Sequence, residues 1–217
     1  MLHSYKILGE FMAENIKESL EKVYYEISID LVQLLEKTIP FLEKVDIKRL
    51  EELKKGSDSV RKKMEDLTEN LFTIIRRADK DKKYLNVLPN ILNAFQRILY
   101  LIDGIINRYE IKEKEGILFS DKAITELKSL FSQSHKIMKD SADLILTKNR
   151  VLADHIINEK KIFFNLAEEF ASEHAQRLIT GICMPKASSL YINLVDTLKG
   201  IFAQEVKIAK EIYDFTK

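Results

Sequence analysis

Apolar residues recur along this chain at three- and four-residue steps, in six long stretches separated by short polar breaks. From Ile16 the positions Leu20, Val23, Ile27, Leu31 and Leu34 mark one face of an amphipathic helix that ends near Pro40. Leu50, Leu53, Val60, Met64, Leu67, Leu71 and Ile74 keep the rhythm through a second helix, with Gly56-Ser57 as a soft point and the charged run RRADKDKK as its stop. A third takes in Leu88, Ile91, Leu92, Phe95, Ile98, Leu99, Ile102 and Ile105. Pro89 is tolerated in its first turn, where an amide hydrogen would lack a helical partner anyway, and KEKEG closes it.

Ser120 suits the N-cap of a fourth helix, with Asp121 facing the helix dipole, and the pattern runs to about Leu146. A fifth begins near Arg150 and carries Leu152, Ile156, Phe163, Leu166 and Phe170 to Leu178. Gly181 then offers a left-handed cap and Pro185 starts a new helix, which runs from about Ser188 to Phe215. ILNAFQRI at 91–98 aligns with LVDTLKGI at 194–201, so the same trio of helices occurs twice. The expected fold is all-α: two tandem antiparallel three-helix bundles of spectrin-like up-down helices, residues 1–115 and 116–217, side by side. Breaks at Pro40, Gly116, Gly181 and Pro185 exclude one continuous coiled-coil rod.

The third helix, LPNILNAFQRILYLIDGII, carries too many large residues for a single stripe. That excess predicts a position between the bundles or at a subunit interface, with Phe95 and Tyr100 as anchors and a homodimer as the assembly.

Composition agrees with long helices: 46% of residues are hydrophobic and there are only six Gly and three Pro. Lys plus Arg number 35 against 34 Asp plus Glu, a formal charge of +1, which supplies no field for holding nucleic acid. The single cysteine, Cys183, has no partner for an internal disulfide, is a poor metal site alone, and reads as a small apolar group beside Met184-Pro185. The N-terminal stretch lacks the unbroken apolar segment of a secretory signal, and ILYLIDGII is interrupted by Asp103 and far short of the ~20 residues that cross a bilayer. A cytoplasmic protein without a membrane span is expected.

Chemistry is sparse. No Gly-rich phosphate loop and no Ser/His/Asp or Cys/His arrangement is present, so no catalytic or cofactor-binding residue is assigned and the chain reads as a non-enzyme. His135, His155 and His174 lack zinc spacing, although His155 and Glu159 form an i, i+4 pair of donors. His174, Arg177 and Glu173 share a helix turn, where Arg177 is suited to pair with an anion. They read either as an interaction site or as a helix-end ion-pair set. The mixed charge runs EELKKGSDSVRKKMED and KEKE read as solvated helix faces.

GILFSDKAITEL, DHIINEKKIF, SEHAQRLITG and SLYINLVDTLKGI, with LPNILNAFQRI in the first half, resemble the PhoU-like proteins. They look closest to the soluble domain that follows the membrane part of sodium/phosphate cotransporters. The resemblance implies tandem three-helix bundles and makes the break at Gly181 to Pro185 a turn between helices. Many PhoU-like proteins bind metal clusters through an acidic residue, three others, then Asp in the third helix of each bundle. The matching positions here look like Gln96 and Tyr100, then Lys199 and Ala203, so the carboxylate ligands are lost in both copies. Asp103 and Asp196 each lack a second carboxylate four residues away. No metal is expected at either place.

The function implied is that of an accessory or regulatory protein of phosphate transport. Its contacts would be with a phosphate transporter, another membrane protein or a signalling partner at the cytosolic face, placing it in the cytoplasm or peripheral to the membrane. Two other readings stand beside it: a metal-binding helical regulator using different carboxylates, and a purely structural helical interaction module.

Overall fold

Long amphipathic segments with few breaks bury their stripes most simply by packing side by side, and the structure, a computed structural model, does this throughout. It describes residues 2–77 and 82–216. The elements are α1 (Leu2–Thr38), a 3-10 turn (Ile39–Leu42), α2 (Ile47–Arg77), a short α3 (Lys82–Leu85), α4 (Leu88–Lys114), α5 (Asp121–Thr147), α6 (Arg150–Ile179) and α7 (Pro185–Phe215). No strand occurs among the described residues.

Helix ends follow the local chemistry. The Ser120 hydroxyl accepts from the Ala123 amide at 3.3 Å, a cap of the kind whose loss costs about 1 kcal/mol. Gly116 and Gly181 sit at φ +60° and +74°, and each closes its helix by the same pair of bonds. In the first, Ile117 N–H reaches Lys112 O at 2.8 Å and Gly116 N–H reaches Glu113 O at 3.1 Å. In the second, Ile182 N–H reaches Arg177 O at 2.9 Å and Gly181 N–H reaches Leu178 O at 3.1 Å. The Gly181 to Pro185 break is therefore a turn.

Two local expectations are corrected, and one helix end is new. α1 begins at Leu2 rather than near Ile16, since the intervening stretch contains no proline and one glycine does not stop a helix. Gly56-Ser57 is no soft point. A Cβ at Gly56 would lie 3.2 Å from Leu34 Cδ2, so the glycine admits close approach of α1, and the Ser57 hydroxyl donates to Asp103 on α4. α5 ends on a non-glycine residue in the left-handed region, Lys148 at φ 51°, whose ammonium pairs with Glu21 of α1. Part of the stop expected at RRADKDKK, residues 78–81, lies outside the described residues.

α1, α2 and α4 pack on one another as one three-helix bundle, and α5, α6 and α7 as a second. α2 runs against α1 and α4, with Lys63 to Asp30 at 2.6 Å and Lys54 to Glu110 marking the antiparallel register. α6 runs against α5 and α7 through His155 to Asp140 at 3.7 Å and Phe163 stacked on Phe202 at 4.3 Å. The bundles join through α1 on α5 and α4 on α7. Both contacts are antiparallel: Lys148–Glu21 and Lys128–Glu43 mark the ends of the first, while Asn90–Glu211 at 3.1 Å and Lys186–Glu115 at 2.8 Å mark the second.

One continuous apolar core results. Its middle is α4 and α7, which explains the excess of large residues in the third helix: α1, α2 and α7 cover it within the chain. At Gly200 a Cβ would stand 3.1 Å from Leu101 Cδ1, so that glycine lets α4 and α7 approach closely.

Candidate functional site

The polar group that the sequence places on one turn of α6 becomes a cluster across three helices. Arg177 Nη1 and Nη2 donate to the two oxygens of Glu126 on α5 at 3.0 and 2.6 Å, the two-pronged geometry that a planar guanidinium favours. Tyr191 on α7 donates its hydroxyl to Glu126 Oε2 at 2.7 Å. The His174 ring lies flat on the Tyr191 ring, centroids 3.9 Å apart and planes 8° from parallel. Around the rim, Lys122 lies 3.5 Å from Glu126 and 3.3 Å from Glu173, and Arg177 Nη1 lies 3.7 Å from Glu173.

Glu126 and His174 are each only 2% exposed. Because Arg177 is a permanent donor, His174 Nδ1 at 3.2 Å must accept, which places the histidine proton on Nε2. That Nε2–H is buried without a partner. Burial and then the adjacent guanidinium hold the imidazole pKa below its ordinary value, so the ring is neutral. Burial, reinforced by the Glu126 carboxylate, raises the Tyr191 pKa. The arrangement is charge-compensated and has no free nucleophile or base aimed at solvent. Its chemistry is that of a pin joining α5, α6 and α7.

The interaction residues read from the sequence separate accordingly. His174 and Arg177 are turned inward and consumed by the pin. Phe95 is fully buried against Tyr24, with centroids 6.0 Å apart, and belongs to the core rather than to a contact surface. Tyr100 is 62% exposed and lies under the Arg97 guanidinium at 4.9 Å. The apolar excess that pointed to a second copy is spent on α7, and Tyr100 is the part of it left on the surface.

Gln96 is exposed, Lys199 lies 3.5 Å from Glu168 and 5.2 Å from the Phe164 ring centre, and Ala203 is half-buried. Asp103 is engaged by Ser57 and Arg61. His155 meets Glu159 through Nδ1 at 3.8 Å and Asp140 through Nε2 at 3.7 Å, so the two carboxylates approach opposite ring nitrogens and do not converge on one point. Among the described residues no group of three or more His, Cys, Asp or Glu side chains has the geometry to hold a metal ion.

Two features escaped the sequence reading. Glu126 and Glu205 occupy core-facing positions where the helical rhythm calls for an apolar side chain, and that mismatch is the signal that would have found them. Glu205 is fully enclosed on α7 near Ser141 of α5. Its Oε2 and the Ser141 hydroxyl have no aligned partner, and burial pushes the carboxyl pKa up to about 8.

At one end of the molecule the α4–α5 and α6–α7 connections sit together, tied by Lys186–Glu115. There Leu118, Ile179, Ile182 and Met184 each expose 70% or more of their surface. No helix of the described residues is long and apolar enough to cross a membrane.

A tandem pair of three-helix bundles sharing one core, with α4 against α7, defines the class of fold. It is the fold of the PhoU proteins. The crystal structure of PhoU from Pseudomonas aeruginosa superposes with a TM-score of 0.85 at 14% identity, covering 93% of this chain and 98% of that one. The phosphate transport system regulatory protein PhoU from Streptococcus pneumoniae gives 0.84 at 11% identity, with 94% and 97% covered. No protein-family model and no curated protein sequence matches the chain.

Proposed function

We propose that this protein regulates phosphate transport without catalysis of its own, through contacts with a membrane transporter or its signalling partner at the cytosolic face. The observation that carries this reading is the likeness of fold to two PhoU proteins over nearly the whole of all three chains, one of them a phosphate transport system regulatory protein. The polar pin supports it, since its groups are consumed in holding helices and none is poised for turnover. Exposed Leu118, Ile179, Ile182 and Met184 supply an apolar end of the kind that protein contacts cover.

The test is direct binding of the purified chain to the phosphate transporter of the same cell in detergent or nanodiscs, with phosphate uptake measured in cells lacking the chain. Saturable binding is expected, lost at least tenfold in the Ile179→Asp/Ile182→Asp double variant, together with altered uptake. Unchanged uptake with no binding would overturn the reading.

A further inference from the structure

A groove of about 470 Å³ runs between the C-terminal half of α4 and the first turns of α7. Arg108, Asn107, Ser189, Asn193, Lys186 and Glu115 supply its polar lining. Its charges are not all compensated. Lys186 and Glu115 pair with one another at 2.8 Å and cancel. Arg108 has no carboxylate partner among the described residues, and nearby Asp103 is already engaged by Ser57 and Arg61 of α2. A half-buried guanidinium without a counterion is unusual, because its charge is partly withdrawn from water and no acid makes up the loss.

Its position is built in. Arg108 Nη1 donates to the Gly104 carbonyl at 2.7 Å, one turn back on α4, so the guanidinium folds along its own helix. A Cβ at residue 104 would meet Nη1 at 2.8 Å and no atom of a neighbouring helix within 4 Å. Glycine inside a helix is less favourable than alanine, so its presence here calls for a reason. Here the glycine seats the arginine and does nothing for helix packing. The remaining N–H groups of Arg108 are left for another acceptor. Asn193 Nδ2 spends one hydrogen on Ser189 O at 2.8 Å and keeps the second, while the Asn107 amide and the Ser189 hydroxyl are exposed.

We infer that this groove binds a compact phosphoryl-type oxyanion, with Arg108 as its charged donor fork and Asn107, Ser189 and Asn193 completing the hydrogen bonds. A planar guanidinium with neutral donors beside it matches the tetrahedral oxygens of such a group, and one uncompensated charge open to solvent implies weak, millimolar affinity. This site adjoins the partner contact proposed above at the Lys186–Glu115 pair but uses none of Leu118, Ile179, Ile182 and Met184, and it stands whether or not a transporter binds.

The experiment is a titration of the full chain with inorganic phosphate at constant ionic strength, followed by amide NMR shifts and calorimetry. Saturable one-to-one binding is expected, with shifts centred on residues 104–108 and 189–193. Arg108→Gln should weaken it at least tenfold. Gly104→Ala should also weaken it, by displacing the guanidinium, while leaving the melting temperature unchanged or higher, which separates a binding loss from unfolding. Arg97→Gln, on the same helix but stacked on Tyr100, should bind as the wild type does. Tighter binding of glycerol phosphate than of inorganic phosphate would identify an ester as the source of the group; equal or weaker binding would identify the free ion. Absence of saturable shifts at 20 mM phosphate, or equal weakening by Arg97→Gln and Arg108→Gln, would overturn the inference.

Discussion

Replacing Glu205 by glutamine keeps the side chain's shape and removes its titration, which makes this buried carboxyl a sensitive probe of the core. Enclosure raises its pKa from the ordinary 4.5 to about 8 in the folded state. The native protein then holds the proton more tightly than the unfolded chain, so this group's contribution to stability is greatest below pH 4.5 and is lost as pH rises through 8. Between pH 5 and pH 9 the loss from this one group is about 4 kcal/mol, at 1.36 kcal/mol per pKa unit. For a chain of this size that corresponds to roughly 10 °C in melting temperature. The assay is urea or thermal unfolding of wild type and Glu205→Gln across pH 5 to 9, taken as the difference between the two curves. His174 works in the opposite sense: its pKa is depressed, so its contribution is lost as pH falls below 6.5, and subtraction removes it. The variant is expected to match the wild type near pH 5 and to exceed it increasingly above pH 6. Parallel pH profiles would refute a raised Glu205 pKa and with it the enclosure of that carboxyl.

Breaking the pin with Glu126→Ala should destabilise the fold by about 3–5 kcal/mol, because Arg177 is left inside without its carboxylate; chemical denaturation measures it, and a loss under 1 kcal/mol would remove the pin from the core. Gly200→Val should cost about 1–3 kcal/mol by forcing α4 and α7 apart against Leu101, read from the same denaturation curves. Residues 116–217 expressed alone are expected to self-associate in size exclusion, since α5 and α7 would expose the faces that α1 and α4 cover; a well-dispersed monomer would establish the second bundle as an independent domain. Elemental analysis of the purified chain should find no stoichiometric iron or zinc, because Gln96, Tyr100, Lys199 and Ala203 offer no carboxylate; a bound equivalent would refute that argument.

The chain's own pattern determined the six long helices, the caps at Ser120, Gly116 and Gly181, and the pairing of the helices into two trios, because period, capping side chains and left-handed glycines act over one or two turns. It also marked the third helix as central. What covers that helix was decided only by the tertiary arrangement: the same apolar excess serves a subunit interface or an internal one, and α7 takes it. Arg177 was legible as an anion partner, but the anion is Glu126, fifty-one positions away on another helix. Tyr191 was silent for the same reason, whereas Glu205 broke the apolar rhythm of its own helix without showing what lies opposite it. Periodicity states which way a residue faces along its own helix, while the groups opposite it, and so the charge it must hold or shed, follow from how the helices dock.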